Sequence, residues 1–294
     1  MPVEENFALT FLGHYTKDTI VSSAGSRVVN GGAFFYGANV AARMGIKTAA
    51  VTRLAEEDFG VVETLEKLGV TVFALPTPCS TCLRLEYPGS NPDQRVISIT
   101  SSAGPFTVEE VRNLDTGTVV LGGSVRGEIP VEVVQELVRR GVRIAADVQG
   151  YLRVNRGGLL QNSDWPGMAE LLGLLDVLKT DAVEAKKLTG YNDIRTAADA
   201  LSDYGPKEIV LTHRDGVLVK STGEYHEAGF FPDSLVGRSG RGDTCIAAYM
   251  AARLTRPPAD ATVWAAAVTS LKMESHGPFQ GTLEDVEELI RRRY

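Results

Sequence analysis

The sequence predicts an α/β fold with three layers: a mostly parallel central sheet, helices on both of its faces, and a small β-flap as a lid. Two observations carry that expectation. Strand-like runs alternate with helix-like ones through most of the 294 residues, the order in which a parallel sheet and its crossover helices are laid down. One stretch, residues 75–100, breaks the alternation with two strand-like runs and no helix between them.

FALTFLG (7–13) opens as a strand, GANVAARMG (37–45) follows as a helix closed by glycine, and KTAAVTRL (47–54), FGVVETLEKLG (59–69) and TVFAL (71–75) repeat the pattern. TCLRLEYPG (81–89) and QRVISIT (94–100) then read as strands around a turn rich in Gly, Asn, Pro and Asp. The alternation resumes with TVVLGG (118–123), PVEVVQELVRRG (130–141), VRIAADVQG (142–150), DVLKT (176–180) and DAVEAKKLTG (181–190). Pro130 suits a first helical turn, and Gly141 and Gly190 suit positions just past helix ends. EIVLT (208–212) and VLVK (217–220) flank Asp215-Gly216 as a hairpin turn. In the last helix, Thr282 caps with Asp285 three residues on. With no repeat or linker, 1–294 reads as a single domain whose lid comes from about 13–30 and 75–103.

Composition narrows the function. Lys plus Arg number 30 against 37 Asp plus Glu, a net charge of -7, which argues against a general nucleic-acid or anionic-membrane binder. The N-terminal MPVEENFALTFLG lacks a basic leader and no apolar run approaches a membrane span, so the expected location is cytoplasmic. Cys79 and Cys82 have redox-motif spacing but run into a strand, where positions three apart face opposite sides. THRDG (212–216) contains the His-Arg-Asp of protein-kinase loops, yet Lys220 stands where the metal-binding Asn belongs.

GRSGRGDTC (237–245) is the most informative stretch. Glycines at 237, 240 and 242 precede IAAYMAARL, a helix start, and glycine is used where backbone must turn sharply or approach a ligand. A helix N-terminus carries unpaired N–H groups and partial positive charge, so an anion is favoured there. Asp243 is then an acid beside an anion hole, or simply a helix N-cap. The glycine spacing fits neither the dinucleotide fingerprint nor the phosphate loop ending in Gly-Lys-Ser/Thr.

GRSGRGDTC resembles the C-terminal motif of the PfkB, or ribokinase-like, family of carbohydrate kinases, whose core is Gly-Ala-Gly-Asp. NGGAFFYGANVAARMG resembles the family's N-terminal Gly-Gly pair and helix, aligning from Gly31 to Gly45 without a gap. DVLKTDAVEAKKLTG is similar to its Asn-x-x-Glu segment, and DVQGYLR and MESHGPF look most like the inositol-kinase-like branch. The resemblance spans nearly the whole chain. It implies a ribokinase-like fold and transfer of the γ-phosphoryl group of ATP, with Mg²⁺, to a hydroxyl of a sugar or cyclitol.

In that scheme the amides of Gly240, Arg241 and Gly242 stabilise the transferring group and Asp243 is the general base. Asp18, Gly31, Gly32 and Tyr36 match the acceptor side, with Gln149 and Arg153 reaching phosphates or an acceptor oxygen. Thr212 and Gly216, together with Gly240 and Gly242, fall on the nucleotide side, although THRDG is one residue shorter than the family's loop. Glu184 and Asp181 match the metal-organising pair, Asp181 replacing the usual Asn and making a good N-cap. Ala33 and Tyr36 stand where ribokinase has ribose-contacting Lys and Asn, which argues against a ribose pocket. Two rivals stay open: a nucleoside kinase of the same fold, and a ligand-sensing regulator without turnover. An exposed flap edge also invites a homodimer.

Overall fold

The computed structural model describes residues 6–23, 25–89, 95–237 and 239–294. The flap turn at 90–94 and Arg238 of the glycine-rich motif therefore lie outside the described residues. In chain order, β1 (Leu9–Leu12) is followed by β2 (Thr16–Ser22), β3 (Gly25–Gly31), α1 (Ala33–Arg43), β4 (Thr48–Leu54), α2 (Gly60–Glu66) and β5 (Thr71–Pro76). Next come β6 (Thr81–Glu86), β7 (Val96–Ser101), α3 (Glu109–Arg112), β8 (Thr118–Leu121), α4 (Val131–Arg139), β9 (Arg143–Asp147) and α5 (Gln149–Leu152). A hairpin, β10 (Arg153–Arg156) and β11 (Leu159–Asn162), precedes α6 (Met168–Leu172), β12 (Val177–Asp181), α7 (Ala182–Thr189) and α8 (Ile194–Ser202). The chain closes with β13 (Glu208–Thr212), β14 (Gly216–Ser221), β15 (Glu224–Gly229), α9 (Arg241–Ala252), α10 (Pro258–Met273) and α11 (Leu283–Arg293).

Nine strands form the central sheet in the order β15-β14-β13-β12-β9-β8-β1-β4-β5. Its pairs are parallel except at the β13-β14-β15 edge, where short turns leave no room for a crossover helix. Side chains alternate across the sheet and divide the interior in two. Val177 and Val210 pack with α1, α9, α10 and α11 on one face, whereas Leu178, Ile209 and Leu211 pack with α4, α7 and α8 on the other. These are the helix layers expected from the alternating runs.

A second sheet, six strands in the order β10-β11-β7-β6-β2-β3, forms the lid. It draws β2, β3, β6 and β7 from the segments assigned to the flap, but Leu75 and Pro76 end β5 of the central sheet. The β10–β11 hairpin is added to it. Its strands are short and polar, and it is fixed by non-local pairing, with Leu159 opposite Ser98 of β7. Gly157 and Gly158 supply the positive φ angles of its turn, 62° and 96°.

Candidate active site

A cavity of about 440 Å³ lies between the lid and the C-terminal ends of the parallel strands. Ligands of open α/β sheets bind at that end, where loops and helix N-termini converge. The N-terminus of α9 forms one wall. Thr244 N–H makes the first bond of the helix, to the Gly240 carbonyl at 2.9 Å, so the amides of Gly242 and Asp243 precede the intrahelical ladder. Gly240 caps the helix in the left-handed region, φ 75°, and a Cβ there would collide with the Tyr36 ring. A Cβ on Gly242 would meet the Lys179 ammonium at 2.6 Å. Close approach thus requires glycine at both positions, and at Gly240 the turn requires it too.

Lys179 was not singled out from the sequence. It lies on β12 directly opposite Asp147 of β9, and the buried pair meets at 2.9 Å beneath the helix N-terminus. Burial opposes the Lys179 charge, but Asp147, Glu184 and Asp181 outweigh it and hold the ammonium protonated. Asp147 Oδ1 also accepts from Gln149 N–H at 3.0 Å, which seats the start of α5 at the cavity. The signal was a Lys and an Asp, each in a mostly buried strand; only the register shows that they meet.

Asp243 faces the cavity with Oδ1 buried and unpaired among the described residues. Burial, reinforced by Asp147 and opposed by Lys179, Arg153 and Arg95, pushes its carboxyl up to about 6. Asp18 comes from the lid. It alternates with Thr16 on β2, sits opposite Leu83 of β6, and likewise has an unpaired Oδ1. Burial raises it to about 6 as well, offset by a hydrogen bond from Thr16. Gly31 lies on the neighbouring strand, where any Cβ would collide with Thr16 Oγ1 and the Asp18 carboxylate, so its role is to leave room rather than to line the cavity. Gly32, Ala33 and Tyr36 do line it, with an apolar patch of Leu83, Leu85 and Ile97 from the lid.

Arg153, at the start of the lid hairpin, is half-buried and lines the cavity; among the described residues no hydrogen-bond or ion-pair partner holds its guanidinium. Burial lowers its proton affinity, while Glu184, Asp147 and Asp243 favour the charge. Arg241 lines the cavity too, its guanidinium 6.0 Å from the Phe230 ring centroid. Thr212, His213 and Arg214 line it as well. Gly216 does not reach the cavity. It begins β14 packed against Ala228 and Gly229, so its lack of a side chain serves hairpin packing.

Asp181 and Glu184 form a capping box on α7: Glu184 N–H donates to Asp181 Oδ1 at 2.8 Å, and Asp181 N–H to Glu184 Oε2 at 2.9 Å. Both residues also line the cavity. Among the described residues no group of three or more His, Cys, Asp and Glu could cage an ion. Two carboxylates nevertheless fit Mg²⁺, which is commonly held by one or two carboxylates, waters and substrate phosphates. No helix among the described residues is long and apolar enough to cross a membrane.

An acid beside a helix N-terminus, a lysine under it and arginines converging from the lid define a phosphotransferase acting on hydroxyl groups. The chain belongs to the pfkB family of carbohydrate kinases, whose model matches residues 12–284. It is similar to a pyrophosphate-dependent kinase in the ribokinase family, solved with a pyrophosphate analog and myo-inositol, at 35% identity and TM-score 0.87 over 95% of this chain and 99% of that one. A cytidine kinase of Thermococcus kodakarensis is 26% identical over 259 residues, 83% of this chain and 87% of the relative. The ribokinase of Arabidopsis thaliana, solved with ribose and ATP, shares the fold at TM-score 0.76 and 22% identity, over 97% of this chain and 99% of that one.

Proposed function

We propose that this protein transfers a phosphoryl group from inorganic pyrophosphate to a hydroxyl of a cyclitol such as myo-inositol. The observation that carries the donor is the make-up of the cavity lining. Lys179, Arg153, Arg214 and Arg241 bring cations to it, its apolar side chains on the α7 side are only Ala182 and Val183, and no described residue after Asp243 lines it. A cationic lining fits a condensed phosphate; a nucleobase needs a flat apolar slot. The pyrophosphate-dependent relative supports the same reading. ATP, the donor the family resemblance implies, is the alternative.

On the acceptor side, Asp18 and Gln149 offer hydrogen bonds to ring hydroxyls while Leu83, Leu85 and Ile97 cover a ring face. Asp243 Oδ1 takes the proton of the attacking hydroxyl as its oxygen bonds to phosphorus and the bridging P–O bond of pyrophosphate breaks, releasing inorganic phosphate. The amides at the start of α9, with Lys179 below and Arg153 above, stabilise the charge on the transferring group. Asp181 and Glu184 would hold Mg²⁺, which supplies neutralisation of the donor's charge. The test is a phosphorylation panel crossing pyrophosphate and ATP with cyclitols, sugars and nucleosides. Turnover of myo-inositol with pyrophosphate, at least tenfold above any pairing with ATP or cytidine, is expected. Preference for ATP overturns the donor, preference for cytidine overturns the acceptor, and no turnover with any pair favours the sensor.

A further inference from the structure

The segment ahead of the glycine-rich loop is fastened to the end of α10. Val236 and Gly237 both donate N–H to the Met273 carbonyl, at 2.9 and 3.0 Å, and Gly237 packs so closely on Ser275 that a Cβ would strike its carbonyl. Lys272 adds a charged tie: its Nζ donates to the Gly237 carbonyl at 3.0 Å. The residue has 0% exposure. Its ammonium lies 5.7 Å from the centroid of the Tyr36 ring, and that ring packs against Gly240, the cap of α9. One buried cation thus bears on both ends of the loop that sets the anion hole.

Stability does not call for a cation there. Lys272 has no ion pair among the described residues, and burying an ammonium is costly where a methionine would pack freely. The groups facing it are the Gly237 carbonyl, the Tyr36 ring of α1, Asp243 of α9, and His276 just past α10, which in turn bonds Arg27 of β3 at 3.0 Å. Asp243 is the acid among them that favours the charge.

Resting on the phosphotransferase reading, we propose that Lys272 is a positioning residue: its ammonium ties the Gly237 carbonyl and braces Tyr36 under Gly240, holding the loop so that the α9 N-terminus and Asp243 meet the donor and acceptor. The cation acts through the loop and Tyr36, without touching substrate. Burial lowers its titration to about 8, with Asp243 opposing. The ammonium is therefore present below that pH and lost above it, so turnover should fall as pH rises through the region of 8.

Lys272→Met tests the proposal in the full-length protein. Turnover of the preferred donor and acceptor should fall roughly 10- to 100-fold, the effect of a small misplacement of reacting groups, with little change in acceptor KM. The alkaline descent of the wild-type kcat profile should disappear, and the melting temperature should hold or rise. Amide exchange across 237–246 should quicken in the variant, a readout independent of turnover. In Lys272→Ala, added propylammonium should restore part of the activity. Wild-type turnover in Lys272→Met, a retained alkaline descent, or unchanged exchange across 237–246 would each overturn the proposal. A wild-type protein that phosphorylates nothing defeats the functional reading alone, because the exchange comparison still decides whether Lys272 orders the loop.

Discussion

Asp243 and Asp18 show how one residue type serves two tasks in one cavity. Each is buried with an unpaired Oδ1, and each titrates near 6, where a carboxylate becomes a competent base around neutral pH. Asp243→Asn should lower kcat by roughly a thousandfold or more while donor binding, read by calorimetry, changes little. For the wild type, kcat/KM should climb as pH rises through about 6, because the base must be ionised. The same shifts carry a stability cost of opposite sign. A carboxyl raised in the folded state holds its proton there while the unfolded chain has released it, so stability is lost as pH rises from about 4 to about 6. Asp18→Asn should therefore raise the melting temperature at pH 7.5, by a gain on the order of 1–2 kcal/mol, and leave it unchanged at pH 3.5. An equal gain at both pH values would remove ionisation as the cause.

At the scale of elements, the site is a junction of β9, β12 and α9. The register that sets Lys179 opposite Asp147 also puts the ammonium where only a glycine at 242 leaves space above it. Lys179 is among the charges that restrain the carboxyls of Asp243 and Glu184, which burial raises. Lys179→Met should consequently move the acid limb of kcat/KM to higher pH and, by leaving Asp147 buried without its partner, destabilise the protein by about 3–5 kcal/mol. A double variant with Asp147→Leu should recover most of the stability and little of the activity. Caps on α7 and α11 behave as short-range patterns do: Asp181 as an N-cap and Thr282 with Asp285 were recognisable in the sequence, and both caps form, Asp181 with Glu184 as its partner.

For the whole molecule, the lid is a second sheet laid over the strand ends, and it contributes Asp18, Arg95, Arg153 and an apolar patch to a cavity whose chemistry sits on the main sheet. Its β3 edge is exposed, with Val28 at 60%, and an unpaired edge strand is a template for pairing. We propose that two lids pair through it. Light scattering should give the mass of a dimer for the wild type and of a monomer for Val28→Asp, which places a charge on that edge; a monomeric wild type refutes the pairing.

By itself the sequence determined the alternation that builds the parallel sheet, the glycine-rich entry to α9 and the acid after it, because periodicity, capping and turn chemistry act between residues close in the chain. Asp18, Gly31, Gly32 and Tyr36 were singled out only through the family resemblance, since a lone Asp or a Gly pair has no pattern of its own. Tertiary structure alone decided the rest. Lys179 with Asp147 depends on the register of two strands, Arg153 on a hairpin stabilised by β7, and Lys272 on the packing of α10 against a loop far away in sequence. Gly216 depends on tertiary structure in the same way: its neighbours Ala228 and Gly229 belong to the next strand, and their approach explains why it is glycine. Contacts of that kind are set by how whole elements bury their apolar faces, and no local window of residues contains that information.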